Sequence, residues 1–348
     1  MTWLLPSVDG VLSADDVAAS AASIAALQLP DGMIPWFPGG HCDPWNLVET
    51  AMALTVAGCW DEAERAYAWL ARQQRPDGAW HAYYGPDGVE DDKLDTNVCA
   101  YVATGIWHHW RCTRDEGFLR AMVPVVARAI GFVLTLQTPR GEVLWARRAG
   151  GAAWPYALLT GSSSIVHSLR CGVALAQACG REQPDWELAA VRLADVVATK
   201  PEAFAPKDRW AMDWYYPVLS GAVTGPAARA RLAERTARFV MPGRGVRCVA
   251  DEDWVTAAET AECALAHLAA GRPETARELL AMTGAHRHAD GSYWTGIAYP
   301  DGVHFPAGER SAYTAAAVIL AADALSGASP ASDLFLPAAD RSPVDDLD

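Results

Sequence analysis

Carboxylates set inside apolar helical runs are the residues of this sequence best placed to do chemistry, because a lone charge facing a core is costly. The run Ala257 to Ala270 carries two, Glu259 and Glu262, three residues apart and so on adjoining parts of one helix face. Thr256-Ala257-Ala258-Glu259 also fits a capping box, so Glu259 has a structural alternative. Glu262 lies a turn deeper and has none. A second run opens with Asp43-Pro44, an N-cap followed by proline at the first helical position, and holds one further charge, Glu49. Asp95-Thr96-Asn97 starts a third run in the same manner, and a cap is its structural alternative too.

Glycosidic bond cleavage needs two carboxyl groups, one to protonate the leaving oxygen and one to activate water or attack the sugar. A helix N-terminus lowers the pKa of a carboxylate placed on it, while apolar burial raises it. The expected assignment is therefore Asp43 as base and Glu262 as general acid, with Glu259 and Asp95 as the next candidates.

Aromatic side chains gather near these acids, in segments rich in Gly, Pro and Asp. Trp36, His41 and Trp45 stand around Asp43, and Tyr83 and Tyr84 precede Asp95. Trp154, then Asp213 with Tyr215 and Tyr216, then Trp254 and Trp294 follow at similar intervals. Aromatic faces beside polar groups suit sugar rings, which offer C–H patches to stack and hydroxyls to bond. These residues and Glu49 are the expected substrate contacts; loop packing is the structural alternative.

Other chemistries are disfavoured. His108-His109 belongs to no set with metal spacing, so neither metal nor cofactor is expected. Ser162-Ser163-Ser164 is a helix start rather than a nucleophile elbow, since no GxSxG occurs. A net charge of -14 without a Lys/Arg stripe argues against a nucleic-acid partner. The eight cysteines are scattered, with no CxxC pair, and read as buried free thiols. Met1 to Gly10 lacks a basic region and no apolar stretch of about 18 residues is evident, so a cytoplasmic, non-spanning protein is expected, its oligomeric state open.

The elements that must position these groups alternate in type. Amphipathic, charged helices are predicted over Ala14 to Gln28, Asp61 to Gln74, Phe118 to Gln137, Trp186 to Thr199, Ala227 to Val240 and Glu274 to Thr283. Between them come runs apolar nearly all round: Trp45 to Ala57, Asn97 to Trp110, Ser162 to Ala178, Trp214 to Val223, Ala257 to Ala270 and Tyr313 to Leu325. Six exposed helices alternating with six buried ones, and no period-2 strand set, imply an all-α (α/α)6 toroid with an outer and an inner ring. Connections from outer to inner helices are mostly long and the return connections short, so the long loops share one face, the candidate site. Residues 1–326 form the expected single domain, and 327–348 an acidic, loosely held tail.

Gln28-Leu29-Pro30-Asp31-Gly32, Gln74-Arg75-Pro76-Asp77-Gly78-Ala79-Trp80 and Asp290-Gly291-Ser292-Tyr293-Trp294 resemble the repeat signature of squalene-cyclase and prenyltransferase-like toroids, shared among many functions. The acidic cluster Glu90-Asp91-Asp92-Lys93-Leu94-Asp95 does not match the DxDD proton donor of terpene cyclases. Leu94 to Tyr101, Ile106 to Trp110, Met212 to Pro217 and Gly245 to Asp251 are more similar to six-hairpin glycosidases, and especially to the actinobacterial methylmannose polysaccharide hydrolases. That resemblance implies an endo-acting α-1,4-mannosidase on intracellular 3-O-methylmannose chains. A prenyl-binding or terpenoid-cyclising toroid and a non-catalytic carbohydrate binder are the alternatives.

Overall fold

In the computed structural model, which describes residues 3–337, the two helix types separate by radius. The outer helices are α1 (Ala14–Ala25), α3 (Trp60–Gln73), α6 (Glu116–Leu134), α8 (Pro184–Thr199), α10 (Gly225–Phe239) and α12 (Pro273–Met282). The inner ones are α2 (Pro44–Val56), the broken pair α4 (Thr96–Ala100) and α5 (Val102–Thr113), α7 (Leu159–Ala178), α9 (Met212–Leu219), α11 (Ala257–Ala269) and α13 (Ala312–Ser326). Each inner helix touches the next, and α13 packs against α2. The ring is closed, and the (α/α)6 toroid is the fold.

Burial explains which helix goes where. On α13 all eleven residues from Ala312 to Asp323 other than Tyr313 are buried, whereas α3 buries only Ala63, Ala66, Tyr67, Trp69 and Leu70, one stripe of its surface. Small residues let the inner helices approach closely. A Cβ on Gly105 of α5 would fall 2.4 Å from Val48 Cγ1 and 2.8 Å from the Tyr67 hydroxyl.

The repeated Gln-to-Gly segments are clasps between outer helices. Gln28, Gln74 and Gln137 each donate their side-chain amide to the glycine carbonyl four residues on and to a carbonyl of the next outer helix, at Glu62, Val125 and Ala189. Gly78 has φ +88° and lies so near the Arg128 carbonyl that a Cβ would stand 2.1 Å from it, which reserves the position for glycine. The corresponding Gly291 presses on the backbone of Ala19 and so ties the end of α12 to α1.

Short strands line the long loops: β1 (Tyr83–Gly85), β2 (Gly88–Asp91), β3 (Leu94–Asp95), β4 (Ala146–Arg147), β5 (Val240–Met241), β6 (Gly245–Arg247), β7 (Trp254–Thr256), β8 (Gly296–Ala298) and β9 (Val303–His304). β5 to β9 form one antiparallel sheet joining the fifth and sixth loops. At two to four residues each, they are too short to leave an alternating pattern in the sequence.

Two expectations need correction. Residues 327–337 are not loosely held: Ser329 donates its backbone N–H (2.8 Å) and hydroxyl (2.6 Å) to the buried Asp323 carboxylate, and Phe335 stacks on His167. Residues 338–348 lie outside the described residues. α6, 19 residues long, is apolar enough to cross a membrane by length and composition, contrary to the first reading. Its apolar face packs on α4, α5 and α7.

Candidate active site

The inner helices point their N-termini at the face that carries the long loops, and two adjoining cavities open there. One, of about 200 Å³, lies over α11 and α13 and is walled by Trp36, Trp45, Trp254 and Tyr313 with Glu49, Glu259 and Glu262. The other, of about 220 Å³, lies over α2 and α4, with Asp43, Tyr83, Lys93 and Asp95. Both include Trp36, Trp45, Asn46 and Met212, so they make one continuous trough.

Asp43 is the N-cap of α2 and every lone-pair direction of its carboxylate is engaged. Oδ1 accepts from the backbone N–H groups of Trp45 (2.8 Å) and Asn46 (3.0 Å); Oδ2 accepts from the Trp36 indole (2.7 Å) and the Asn46 side-chain amide (2.6 Å). Burial nevertheless pushes its carboxyl above the usual carboxylate range, against the pull of these bonds. The sequence reasoning gave the helix terminus the larger weight; desolvation at 4% exposure outweighs it.

Glu259 is the opposite case. The expected capping box does not form: Thr256 is the N-cap of α11, yet its side chain makes no capping bond and its hydroxyl is buried without a partner. Glu259 therefore has no capping task, and its half-buried carboxylate faces the trough.

Glu262, one turn below, is the floor. The Tyr215 hydroxyl and the Tyr216 hydroxyl (2.9 Å) both donate to its carboxyl. Burial drives its pKa well up, with further repulsion from Glu49 and Glu259, the direction expected from sequence. Across from it, Glu49 accepts from the Tyr101 hydroxyl and is pushed up to about 7 by burial. Tyr101 in turn stacks under Trp45, ring centroids 4.9 Å apart. The floor thus supports the wall.

Asp95 caps α4 through the N–H groups of Asn97 and Val98, and burial raises it to about 6 against the nearby Lys93 and the Trp145 side chain. His41 packs between Trp36 and Tyr83, behind the trough wall. Several expected contacts lie elsewhere. Tyr84 is buried against Trp69 and accepts from the His81 N–H; Asp213 is taken up by Thr160. Tyr215 and Tyr216 sit beneath Glu262 instead of facing the opening. Trp154 packs on Trp145, beyond Asp95, and Trp294 stacks on His304, outside both cavities.

Sequence reasoning overlooked Asn46, Tyr101, Trp145, Met212 and Tyr313. Only Asn46 had a readable signal, as the N3 residue behind an aspartate cap. Among the described residues no cluster of His, Cys, Asp and Glu is arranged to hold a metal ion.

No family model matches the chain. The MMP endo-(1,4)-3-O-methyl-alpha-D-mannosidase of Mycolicibacterium hassiacum is 52% identical to it over 331 residues, 95% of this chain and 92% of that protein. Solved structures sharing the fold include a D-mannose isomerase (TM-score 0.68, 12% identity, 90% of this chain and 96% of that one). A wild-type glycosidase aligns with TM-score 0.67 and 16% identity, over 93% of this chain and 97% of its own. A cellobiose 2-epimerase from Spirochaeta thermophila aligns with TM-score 0.66 and 12% identity, over 90% and 96%. At 52% identity over 95% of its length to that mannosidase, this chain belongs to the family of the MMP endo-(1,4)-3-O-methyl-α-D-mannosidases and is a glycoside hydrolase.

Proposed function

We propose that the chain cleaves internal α-1,4 linkages of a 3-O-methylmannose polysaccharide, with Asp43 as proton donor and Glu259 as the base that activates water. The substrate rests on the 52% identity to the mannosidase over 95% of the chain. The roles rest on the contrast between the two carboxyls. Asp43 is buried and raised, as a donor needs; Glu259 has no capping bond and faces the trough, as a base holding water needs. This replaces Glu262, which lies one turn deeper on α11 than Glu259, and reverses the role first given to Asp43.

α2 and α11 are separated in the ring by α13, whose Tyr313 feels the charge of both Glu259 and Asp43. With Glu259 acting on water and not on the sugar itself, the reaction proceeds with inversion, which calls for the two carboxyls to stand about 6.5 to 9.5 Å apart. Trp36, Trp45, Trp254, Tyr83 and Met212 supply subsites whose apolar faces suit O-methyl groups. Asp95 and Lys93 carry the trough on along the chain being cut. Eight free cysteines fit a cytoplasmic enzyme.

Incubation with 3-O-methylated and unmethylated α-1,4-mannan chains tests this. Rapid shortening of the methylated chain to mid-length oligosaccharides is expected. Release of single sugars from one end, or equal rates on both polymers, would refute the endo reading or the methyl preference respectively.

A further inference from the structure

Asp43 Oδ1 takes two backbone N–H donors and Oδ2 takes an indole N–H, and none of these three can reverse direction. The remaining partner, the Asn46 side-chain amide, can. It donates from Nδ2 to Oδ2 at 2.6 Å, while its own Oδ1 is buried and unpartnered. A half-turn of the amide exchanges Nδ2 and Oδ1 and presents an acceptor to Asp43 in place of a donor. An unpaired buried carbonyl is costly, so the present arrangement holds an acceptor in reserve.

We infer that Asn46 is a positioning residue whose side-chain amide turns over with the protonation of Asp43. This rests on the reading of Asp43 as donor. With the acid protonated on Oδ2, the proton is held on Asn46 Oδ1. When a glycosidic oxygen enters the trough, that proton passes to it, the C1–O bond breaks, and the leaving chain departs as an alcohol. Water adds to C1 and gives its proton to Glu259. The new Asp43 carboxylate then takes back the Nδ2–H donor. Asn46 lines both halves of the trough, which places its amide turnover beside the bound sugar. The structural alternative is that Asn46 merely completes the helix cap.

Two variants of the full chain separate these roles, each measured on a 3-O-methylmannose oligosaccharide and on its 2,4-dinitrophenyl glycoside, whose leaving group needs no proton. Asn46→Leu should lower kcat on the oligosaccharide by about tenfold or more and leave the dinitrophenyl glycoside within about threefold. Asn46→Asp keeps the shape and the acceptor, and its charge should move the alkaline limb of the kcat profile upward by about one pH unit. Equal losses on both substrates for Asn46→Leu, or an unmoved alkaline limb for Asn46→Asp, would overturn the inference. Asp43→Asn run in parallel isolates the underlying reading. If it abolishes turnover of both substrates, Asp43 is not the donor; if it spares the dinitrophenyl glycoside while Asn46→Leu fails as above, only the role of Asn46 falls.

Discussion

The starts of α2 and α11 face each other across α13, and they are built in opposite ways. At α2 the cap residue is saturated: Asp43 takes four N–H donors and closes the helix end completely. At α11 the cap residue does nothing with its side chain, and the acid that would have completed the box is left facing the trough. Two segments of similar sequence, Val48-Glu49-Thr50-Ala51 and Ala258-Glu259-Thr260-Ala261, so end at different depths. Glu49 falls in the second turn of its helix and is buried under Tyr101, while Glu259 falls in the first turn and reaches the opening. In the proposed assignment, depth along an inner helix, more than residue type, separates a supporting carboxyl from a reacting one.

The strongest way to break that contrast is to neutralise each acid. Glu259→Gln and Asp43→Asn should each lower kcat on the polysaccharide by about 10² to 10⁴-fold. Glu262→Gln, which retains a neutral group for Tyr215 and Tyr216, should stay within about tenfold of wild type. Azide should restore turnover to Glu259→Gln, giving a glycosyl azide of inverted configuration detectable by NMR. Near-normal hydrolysis by Glu259→Gln together with collapse of Glu262→Gln would return the chemistry to the floor.

A smaller effect is expected from the walls. Trp254→Ala and Trp45→Ala each remove an aromatic face from the trough, worth about 1 to 2 kcal/mol, and so raise KM about tenfold with less change in kcat. Trp45→Ala also uncovers Tyr101, so it should affect kcat more than Trp254→Ala does. Trp294→Ala, which sits outside the trough, should leave both constants near wild type. Steady-state kinetics on the same oligosaccharide series checks all three.

The buried support should show itself in the pH dependence of stability. Glu49 is raised in the fold to about 7 from an ordinary 4.5, so the unfolded chain releases that proton first as pH rises. Its stabilising share is complete below about 4.5 and is lost as pH climbs through about 7, a change of roughly 3 kcal/mol. Glu49→Gln should flatten the stability curve between pH 5 and 8 relative to wild type in chemical denaturation. An identical slope in the two proteins would mean that Glu49 does not carry this burden.

The double ring could be read in the sequence because helix periodicity is a local signal repeated over many turns. Boundaries such as Ala257–Ala269 and Pro44–Val56 differ from expectation by a residue. The break at Tyr101 was missed, since nothing in Asn97 to Trp110 interrupts the apolar run; the tyrosine is placed by Glu49 and Trp45, 52 and 56 residues away in sequence. The site was only partly legible for the same reason. Asp43, Glu259, Trp36, Trp45 and Trp254 could be collected as acids and aromatics at loop ends, but whether Glu259 caps or stands free depends on how Thr256 leaves β7. Tyr84, Asp213 and Trp294 have the same composition around them and yet face inward or away from the trough.

The smallest effect expected is at Thr256, and it bears most directly on the comparison. An N-cap threonine that bonds its helix contributes about 1 kcal/mol, and removing it lowers stability by that much. Thr256 makes no such bond, and its hydroxyl is buried without any partner, which costs free energy rather than supplying it. Its φ of -118° and ψ of 142° are extended angles that valine adopts without strain. Thr256→Val replaces the hydroxyl with a methyl of nearly the same size. Its unfolding free energy should therefore be unchanged or higher by up to about 1 kcal/mol, and its kcat should be unaltered, because Glu259 never depended on the cap. The equivalent change at the other helix, Asp43→Ala, removes four accepted bonds and should lower stability by about 2 kcal/mol or more beyond its effect on turnover. A drop of about 1 kcal/mol in Thr256→Val would show that the capping box forms in solution. Glu259 would then be tied to the helix end like Asp43, and the difference between the two helix starts would disappear.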